Sequence, residues 1–286
     1  MGKIVIVGSG PAGCSAALYA ARAGQEVMVI SMGMGALSKA ELIQNYYGFE
    51  EGITGAELYR QGVAGAKAVG AEFITAEVVG LDYTGSLVVQ TTEGDYPADA
   101  VILATGAGRI APKIAGLAEH EGRGVSYCAT CDAFFYRGKT AAVLGSGEYA
   151  LHEVQALLPL AGKVILCTNG EPLTADFPEG VEICTEKLAA VEGEEKVSAL
   201  RLENGELLPV EGLFVALGVA GSAALARKLG APVENGRIVV DERMQTGIPG
   251  LYAAGDCTGG LLQVCKAVYE GALAATEAIK QIRGKK

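Results

Sequence analysis

Two cysteines separated by two residues, Cys128 and Cys131, are followed at once by Asp132. A dithiol of this spacing can close into a small disulfide ring, and its thiolates can be tuned for exchange with another disulfide. The pair lies between two glycine-rich loops of the kind that bind nucleotides, at residues 8–13 and 145–150. Beside a bound dinucleotide, such a dithiol can pass two electrons between the cofactor and a partner disulfide. The sequence therefore predicts redox chemistry.

The remaining cysteines favour free thiols over a scaffold or a metal site. Seven cysteines are too few, and oddly numbered, for a disulfide framework. A zinc site would need a second close pair of Cys or His ligands, and neither His120 nor His152 supplies one, so no metal site is expected. We interpret the other five as free buried thiols: Cys14, Cys167, Cys184, Cys257 and Cys265.

Composition indicates an α/β protein. Half of the 286 residues are apolar, enough to bury a sizeable core in one or two domains. Short Val/Ile runs alternate with Ala/Gly-rich stretches, which favours parallel strands covered by helices. The first strand starts at Lys3 and leaves no room for a signal peptide, and no apolar stretch approaches the roughly 20 residues of a membrane span. We expect a soluble, cytoplasmic protein with no membrane partner.

The formal net charge of −10 argues against a nucleic-acid partner, which calls for a basic surface. Positive charge nevertheless collects in residues 109–139 and in the tail. The simpler interpretation is that these charges lie on the solvated surface and in linkers. The more specific interpretation is that they form a docking site for an acidic partner beside the dithiol. These basic residues are Arg109, Lys113, Arg123, Arg137, Lys139, Lys280, Arg283, Lys285 and Lys286.

The order of elements resembles one nucleotide-binding unit placed inside another. A strand at 3–7, a helix at 11–23 and a strand at 26–30 surround the first glycine loop, an order that puts a pyrophosphate on a helix N-terminus. A strand at 139–144, a helix at 148–158 and a strand at 163–167 repeat the pattern around the second loop.

We therefore predict an α/β fold of two Rossmann-like, three-layer domains, the second inserted into the first. Stretches rich in Gly and Pro at 106–124 and 239–250 read as the two crossings between them. The first domain is expected to comprise residues 1–113 and 245–286, and the second residues 114–244.

Several motifs in this order, considered together, resemble the low-molecular-weight thioredoxin reductases over essentially the whole chain. They are the loop at 8–13, the turn 104–106, the Cys128–Cys131 pair with Asp132, and the late pair Gly255-Asp256. The resemblance implies an FAD domain built from both chain ends, a central domain resembling an NADPH-binding fold that carries the dithiol, and a homodimer. It also implies thioredoxin or a similar small dithiol protein as the partner.

Roles follow residue by residue from this resemblance. Cys128 and Cys131 would be reduced by the flavin and exchange with the partner, and which cysteine meets which stays open. Asp132 would shuttle a proton, with a helix cap or a solvent contact as its simpler interpretation. The residues assigned to FAD are Gly8, Gly10, Pro11, Ala12, Gly13, Asn45, Ala104, Thr105, Gly106, Gly255, Asp256, Gln263 and Val264.

Two departures from the family pattern concern ribose and phosphate binding. The second strand ends at Ile30 with Ser31 and no acidic residue, so binding of the adenosine ribose is expected to be looser or to use the backbone. The central domain has no cation in residues 164–172, where relatives hold the 2′-phosphate of NADPH. An Arg–phosphate contact contributes about 1.5–3 kcal/mol, so losing several would weaken NADPH by orders of magnitude. Glu148 and Tyr149 are also expected where a pyrophosphate would approach, although Glu148 has the simpler interpretation of a helix cap that points to solvent.

This pattern is similar to the ferredoxin-dependent flavin thioredoxin reductases. The leading hypothesis is an FAD-dependent disulfide reductase that takes electrons from reduced ferredoxin and delivers them through Cys128 and Cys131 to thioredoxin. An NADPH- or NADH-dependent enzyme with an atypical nucleotide site is the alternative, in which Glu171 could serve an NADH ribose. A flavin-bound redox sensor with little turnover is a third hypothesis.

Overall fold

The computed structural model describes residues 1–106, 114–218 and 220–284. In chain order the strands are β1 (Lys3–Val7), β2 (Glu26–Ser31), β3 (Glu72–Thr75), β4 (Val78–Tyr83), β5 (Leu87–Thr91), β6 (Gly94–Ala98), β7 (Ala100–Leu103), β8 (Val125–Ser126), β9 (Thr140–Leu144), β10 (Lys163–Cys167), β11 (Glu182–Cys184), β12 (Leu188–Glu192), β13 (Ala199–Leu202), β14 (Leu207–Pro209), β15 (Gly212–Val215), β16 (Val233–Glu234), β17 (Arg237–Ile238) and β18 (Leu251–Ala253).

The α-helices are α1 (Pro11–Arg22), α2 (Gly55–Ala68), α3 (Ala129–Asp132), α4 (Glu148–Leu157), α5 (Ser222–Lys228) and α6 (Val264–Gly284). Short 3₁₀ helices span Gly35–Lys39, Ala133–Tyr136 and Asp256–Thr258.

The chain forms two compact units, Met1–Arg109 with Gly221–Lys286, and Ile110–Ala220. The first contains a parallel sheet in the order β18-β7-β1-β2-β3, and the second a parallel sheet in the order β11-β10-β9-β15-β8. Each unit adds a three-stranded antiparallel sheet, β4-β5-β6 in the first and β12-β13-β14 in the second. The predicted α/β fold with two Rossmann-like domains is confirmed, and the antiparallel sheets are its unpredicted part.

The parallel sheet of the first unit is covered on both faces. Ile4, Val5 and Ile6 of β1 are all completely buried. Because consecutive strand residues point to opposite faces, such a run requires packing on both sides. Helices α1 and α6 pack against each other in this unit, and small residues of both helices join the apolar core of the sheet.

Residues 221–244, expected in the central domain, lie instead in the first unit. Two contacts explain the difference. The N–H of Ser222, at the start of α5, donates to Thr105 Oγ1 at 2.8 Å, and the Arg237 guanidinium donates to the backbone oxygen of Asp256. Both pairings join residues far apart in sequence, which no local break signal marks. The other expected boundary, at 113, lies outside the described residues.

Helix α6 crosses α1 at a glycine. A Cβ added to Gly271 would lie 2.1 Å from the backbone oxygen of Ala12, a clash that only backbone movement could relieve. Gly65 of α2 is also helical, but its added Cβ would find only the Leu18 side chain, at 4.0 Å. Substituting each glycine with alanine therefore distinguishes two effects on stability: the steric cost of a crowded crossing at Gly271, and the gain in helix propensity at Gly65.

We predict that Gly271→Ala lowers the free energy of unfolding by about 1–3 kcal/mol, because the crossing is overpacked. Gly65→Ala should raise it by about 0.5–1 kcal/mol, since alanine is the better helix former. Urea unfolding of the full chain, followed by circular dichroism, measures both. Equal effects of the two substitutions would contradict a close α1–α6 crossing.

Candidate functional site

A cleft of about 390 Å³ lies where the carboxyl ends of the first unit's parallel strands meet. This is the edge at which doubly wound sheets bind ligands. The lining includes every residue assigned to FAD from the sequence except Gly13. It also includes residues with no sequence-based assignment, chiefly 33–37 after β2, together with Leu42 and Ile43.

The first glycine loop closes tightly around the start of α1. Gly8 has φ +110°, and an added Cβ would lie 2.3 Å from the backbone oxygen of Ala104. A Cβ on Gly13 would lie 1.9 Å from the backbone oxygen of Gly8. Gly13 therefore shapes the loop from behind without lining the cleft. A Cβ on Gly10, in contrast, would meet nothing within 4 Å.

Gly10 is the N-cap of α1 and Pro11 is its first residue, and no side chain caps the helix. The first backbone N–H groups of a helix have no partner within it. Together with the positive end of the helix dipole, they make this open end of α1 suited to an anion such as a pyrophosphate.

The turn 104–106 after β7 is tied to α5. Thr105 N–H donates to Ser222 Oγ at 3.1 Å, and the two hydroxyls lie 2.7 Å apart. Ser222 is almost completely buried, 1% exposed. The sequence gives no signal for this serine, because its partner lies 117 residues away.

The turn that carries Asp256 is held by a buried ion pair. Lys266 Nζ lies 2.9 Å from Glu270 Oε2 and also donates to the backbone oxygens of Gly255 and Gly259, at 2.8 and 2.6 Å. Glu270 in turn accepts the N–H of Gly255 at 2.8 Å. Neither charged residue has a sequence-based assignment, although their i, i+4 spacing on α6 is a readable signal.

Asn45 and Gln263 come together from distant parts of the chain. Asn45 Nδ2 donates to Gln263 Oε1 at 2.9 Å. The backbone oxygen of Gln263 accepts the N–H of Ala267 at 3.1 Å, so α6 begins beside the cleft with Val264 as its first residue. These two side chains, both assigned to FAD by the family resemblance, thus meet in the lining of the cleft.

Hydroxyl groups, not an acidic residue, organise the loop after β2. Ser31 Oγ donates to Ser9 Oγ at 2.7 Å, and Ser9 Oγ lies 3.0 Å from the Tyr59 hydroxyl. Ser9 Oγ also lies 3.3 Å from the backbone oxygen of Gly33. Gly33 and Gly35 line the cleft without side chains, so their backbone groups are available to a ribose, as the sequence analysis expects.

The second unit contains the dithiol as a closed disulfide between Cys128 and Cys131, with a Cα–Cα separation of 5.4 Å. Cys128 is buried, 4% exposed, whereas Cys131 is exposed. Cys128 is the N-cap of α3, and its Sγ accepts the N–H of Cys131 at 3.2 Å. A thiolate on Cys128 would be stabilised by this N–H group.

Asp132 occupies the N-cap position of the 3₁₀ helix Ala133–Tyr136, but its side chain makes no capping hydrogen bond. Its carboxylate accepts a hydrogen bond from the buried Ser126 hydroxyl at 2.7 Å. Ser126 Oγ also accepts the N–H of Cys128 at 3.1 Å, so one hydroxyl joins Asp132 to the dithiol. The fully buried Glu153 of α4 accepts the N–H of Ala129. Ser126 and Glu153 have no sequence-based assignment, because their partners are brought to them only by the fold.

The free cysteines fall into two groups. Cys14, Cys167 and Cys257 are buried, as predicted, and burial raises the pKa of Cys14 to about 12 and that of Cys257 to about 11. Cys184 is half-buried and Cys265 is exposed, so the prediction of buried thiols is wrong for these two.

A family model described as pyridine nucleotide-disulphide oxidoreductase matches residues 2–271. The chain belongs to this family.

Its relatives in this family are thioredoxin reductases. The thioredoxin reductase of Aquifex aeolicus is 36% identical over 99% of this chain and 94% of its own length. The crystal structure of the atypical thioredoxin reductase TRi from Desulfovibrio vulgaris Hildenborough matches with a TM-score of 0.93 at 40% identity, covering 99% of both chains. A ferredoxin-flavin thioredoxin reductase from Clostridium acetobutylicum matches with a TM-score of 0.74 at 35% identity, over 99% of this chain and 98% of that one.

Thioredoxin reductases are FAD-dependent flavoproteins, which confirms the predicted cofactor at the level of the family. The residues of the first unit fit this group. Gly8 and Gly13 bring the loop backbone close to α1, while Gly10 leaves the space at the helix N-terminus open for a pyrophosphate. Asn45 and Gln263 offer amide groups for the polar edge of a flavin.

The second glycine loop differs from the first because neighbouring residues cover it. Thr174 N–H donates to the backbone oxygen of Ser146 at 2.8 Å, and Thr174 Oγ1 donates to the same oxygen at 3.3 Å. A Cβ on Gly147, the N-cap of α4, would lie 3.0 Å from Thr174 Oγ1. Tyr149 is 2% exposed, and its hydroxyl donates to the backbone oxygen of Tyr127 at 3.0 Å.

The turn after β10 contains one acidic residue, Glu171, and no cation of its own. The structure nevertheless brings a cation alongside it. A Cβ added to Gly170 would lie 3.2 Å from Cε of Lys187, which stands just before β12. The sequence analysis of residues 164–172 misses this lysine because it arrives from a separate strand.

The basic residues after the dithiol mix with aromatic ones. The Arg137 guanidinium lies 5.2 Å from the Phe134 ring centroid, and Lys139 Nζ donates to the backbone oxygen of Phe135 at 2.9 Å. Phe134 and Phe135 are 65% and 66% exposed. In the tail, Lys280 pairs with Glu277 at 2.6 Å. The predicted docking residues Arg109, Lys113, Lys285 and Lys286 lie outside the described residues.

None of the helices in the described part of the chain is both long enough and apolar enough to cross a membrane.

The open space at Gly10 gives a test of the cofactor cleft. We predict that Gly10→Ala weakens FAD binding at least about tenfold, because the new methyl group occupies space that only a ligand fills. The stability of the apoprotein should fall by less than about 1 kcal/mol, since the Cβ meets no protein atom within 4 Å. Fluorescence titration of the apoprotein with FAD and its urea unfolding measure the two quantities.

Gly8→Ala serves as the contrasting variant. Its positive φ and the 2.3 Å approach of Ala104 O predict a loss of stability even without FAD. Unchanged FAD affinity in Gly10→Ala would show that the pyrophosphate binds elsewhere.

Proposed function

We propose that this protein reduces the disulfide of thioredoxin or of a similar small dithiol protein, with FAD held in the cleft of the first unit. The observation that carries the proposal is the Cys128–Cys131 disulfide in a chain whose relatives are thioredoxin reductases. Bound FAD supplies a carrier that accepts electrons singly and delivers them in pairs.

Two electrons and two protons convert the Cys128–Cys131 disulfide into two thiols. One of them, as the thiolate, attacks the partner disulfide, so that a mixed disulfide forms and a partner thiolate leaves. The second cysteine then attacks the mixed disulfide. This step restores the Cys128–Cys131 bond, and the two protons end on the two partner thiols.

Asp132 is the residue proposed to exchange protons with the dithiol. Its carboxylate is fixed by the 2.7 Å hydrogen bond from Ser126, and Ser126 is fixed in turn by the N–H of Cys128. This arrangement supports a general acid–base role, because a single hydroxyl links the carboxylate to the backbone of Cys128.

For the electron donor, we propose reduced ferredoxin. Thr174 supports this choice because it packs against the backbone of the second glycine loop, at Ser146 and Gly147. The pyrophosphate of a nucleotide would have to approach that same backbone. The turn after β10 also lacks arginine, the residue best suited to a 2′-phosphate. A protein of similar structure is described as a ferredoxin-flavin thioredoxin reductase. The cationic and aromatic surface at residues 134–139 offers an acidic protein a place to dock.

Lys187 favours the alternative donor, NADPH. Its stem lies against the turn after β10, so its ammonium group is within reach of a phosphate bound at that turn. Glu171 in the same turn would suit the ribose of NADH. The predicted homodimer and the cytoplasmic location stay predictions.

We predict that Ser126→Ala slows thioredoxin reduction about 10–150-fold, which corresponds to about 1.5–3 kcal/mol for one lost hydrogen bond to a charged group. Ser126→Thr keeps the hydroxyl and should restore most of the rate. The measurement is steady-state turnover across pH, because loss of the Asp132 contact should also displace the pH profile. A normal rate and profile in Ser126→Ala would remove this residue from the proton path.

The donor is identified by anaerobic stopped-flow reduction of the FAD-loaded protein. We expect reduced ferredoxin to bleach the flavin band fully at about four equivalents per flavin, because two electrons reduce the Cys128–Cys131 disulfide, two reduce the flavin, and ferredoxin delivers electrons singly. NADPH should act at least about 100-fold more slowly, because two or more contacts to its 2′-phosphate, of about 1.5–3 kcal/mol each, are missing. NADH has no 2′-phosphate, and we expect it to react slowly as well because Thr174 covers the loop that its pyrophosphate would approach. The ferredoxin rate should fall as salt is added.

Two matched variants distinguish the outcomes. If NADPH bleaches the flavin rapidly and Lys187→Ala removes that rate, the nucleotide-dependent enzyme replaces the ferredoxin proposal. Thr174→Ala tests the cover over the loop, and faster NADPH reduction in this variant would support its blocking role. Full reduction without any loss of rate at high salt would contradict charge-guided docking.

A further inference from the structure

A second pair of thiols lies in the inserted unit, away from the catalytic disulfide in sequence. Cys167 ends β10 and Cys184 ends β11, and the two residues are register partners in this parallel strand pair. Partners in neighbouring strands present their side chains to the same face of a sheet. The two thiols are joined by a side-chain hydrogen bond.

The two thiols differ in access and in acidity. Cys167 is completely buried, whereas Cys184 is half-buried. The hydrogen bond from Cys167 lowers the pKa of Cys184 to about 6, with help from the N–H of Glu186. The pKa of Cys167 is raised by the same bond and by burial. The charged groups that face the pair are the carboxylates of Glu182, Glu186 and Glu206, all of which oppose thiolate formation.

We propose that Cys184 and Cys167 form a second redox-active cysteine pair, in which a peroxide oxidises Cys184 and Cys167 then closes a disulfide with it. The half-buried thiol of Cys184, the more accessible of the two, reacts first, and the buried thiol of Cys167 lies beside it to resolve the product. The acidic surroundings favour a neutral oxidant such as hydrogen peroxide over an anionic one.

Both steps balance without a further reagent. The Cys184 thiolate attacks one oxygen of hydrogen peroxide, the O–O bond breaks, and protonation of the leaving hydroxide gives water and a sulfenic acid. Cys167 sulfur then attacks the sulfenic sulfur, its S–H proton leaves with the hydroxyl group, and a second water forms. In sum, two thiols and one hydrogen peroxide give one disulfide and two waters.

The strand geometry permits this bond. Neighbouring strands lie about 4.8 Å apart. Disulfides are found at Cα separations of about 4.4–6.8 Å, so the register pair lies within that range. Cys128 and Cys131 are already joined to each other, and neither is a register partner of this pair.

The test is peptide mapping of the full-length, FAD-loaded protein after reduction, removal of the reductant and addition of hydrogen peroxide at pH 6, with remaining thiols alkylated. The expected product is a peptide pair linked through Cys167 and Cys184. Cys265, exposed in the first unit, is the internal control for an ordinary surface thiol.

The lowered pKa of Cys184 leaves a larger fraction of this thiol ionised at pH 6 than of an ordinary thiol, whose pKa is about 8.5. The weaker nucleophilicity of a low-pKa thiolate offsets part of this difference. Cys184 should therefore be oxidised roughly threefold to tenfold faster than Cys265.

Variants separate the two steps. In Cys167→Ala, Cys184 should stop at the sulfenic acid and be labelled by dimedone. In Cys184→Ala, Cys167 should stay reduced. The proposal is overturned if wild-type protein gives no linked peptide, if Cys265 is oxidised as fast as Cys184, or if Cys167→Ala yields no dimedone adduct. The wild-type mapping decides the question even if a variant fails to fold.

Discussion

Backbone-to-backbone contact around the start of α1 is the constraint on which the first unit depends. Added Cβ atoms at Gly8, Gly13 and Gly271 would each lie within 2.3 Å of a backbone oxygen, on Ala104, Gly8 and Ala12 respectively. These three contacts bring the ends of β1 and β7 and the helices α1 and α6 to one place. Side chains would separate them, and the helix N-terminus would lose its position at the carboxyl edge of the sheet.

The same close packing at the carboxyl edge of the sheet largely buries two charged side chains. Lys266 and Glu270 stand behind the turn of Gly255, where each charge has a partner and several backbone groups. A buried ion pair adds little net stability, since desolvation offsets the attraction. Removing one partner, however, leaves an unpaired charge in the interior. The pair therefore fixes the turn of Asp256 more than it stabilises the fold, which is what a preorganised cofactor site requires.

The sequence predicts the features that local patterns encode. Strand–loop–helix order predicts both glycine loops, and twelve of the thirteen residues that the family resemblance assigns to FAD line one cleft. Local patterns do not predict the roles of Ser222, Ser126 and Lys187, because each of these residues contacts a partner on another element. The boundary between the units near residue 220 is not predicted for the same reason. Gly and Pro mark breaks in secondary structure, whereas long-range pairs such as Thr105 with Ser222 decide which unit a segment joins.

The two glycine loops show how one architecture supports different outcomes. At the first, Gly10 faces open space and no side chain caps α1, so the helix dipole and its N–H groups remain available to an anion. At the second, Thr174 bonds to the backbone of Ser146 and stands 3.0 Å from the Cβ position of Gly147. A dinucleotide would have to displace this contact and still find a partner for its 2′-phosphate. The energetic cost of doing both supports the proposal of an electron donor that does not bind at this loop.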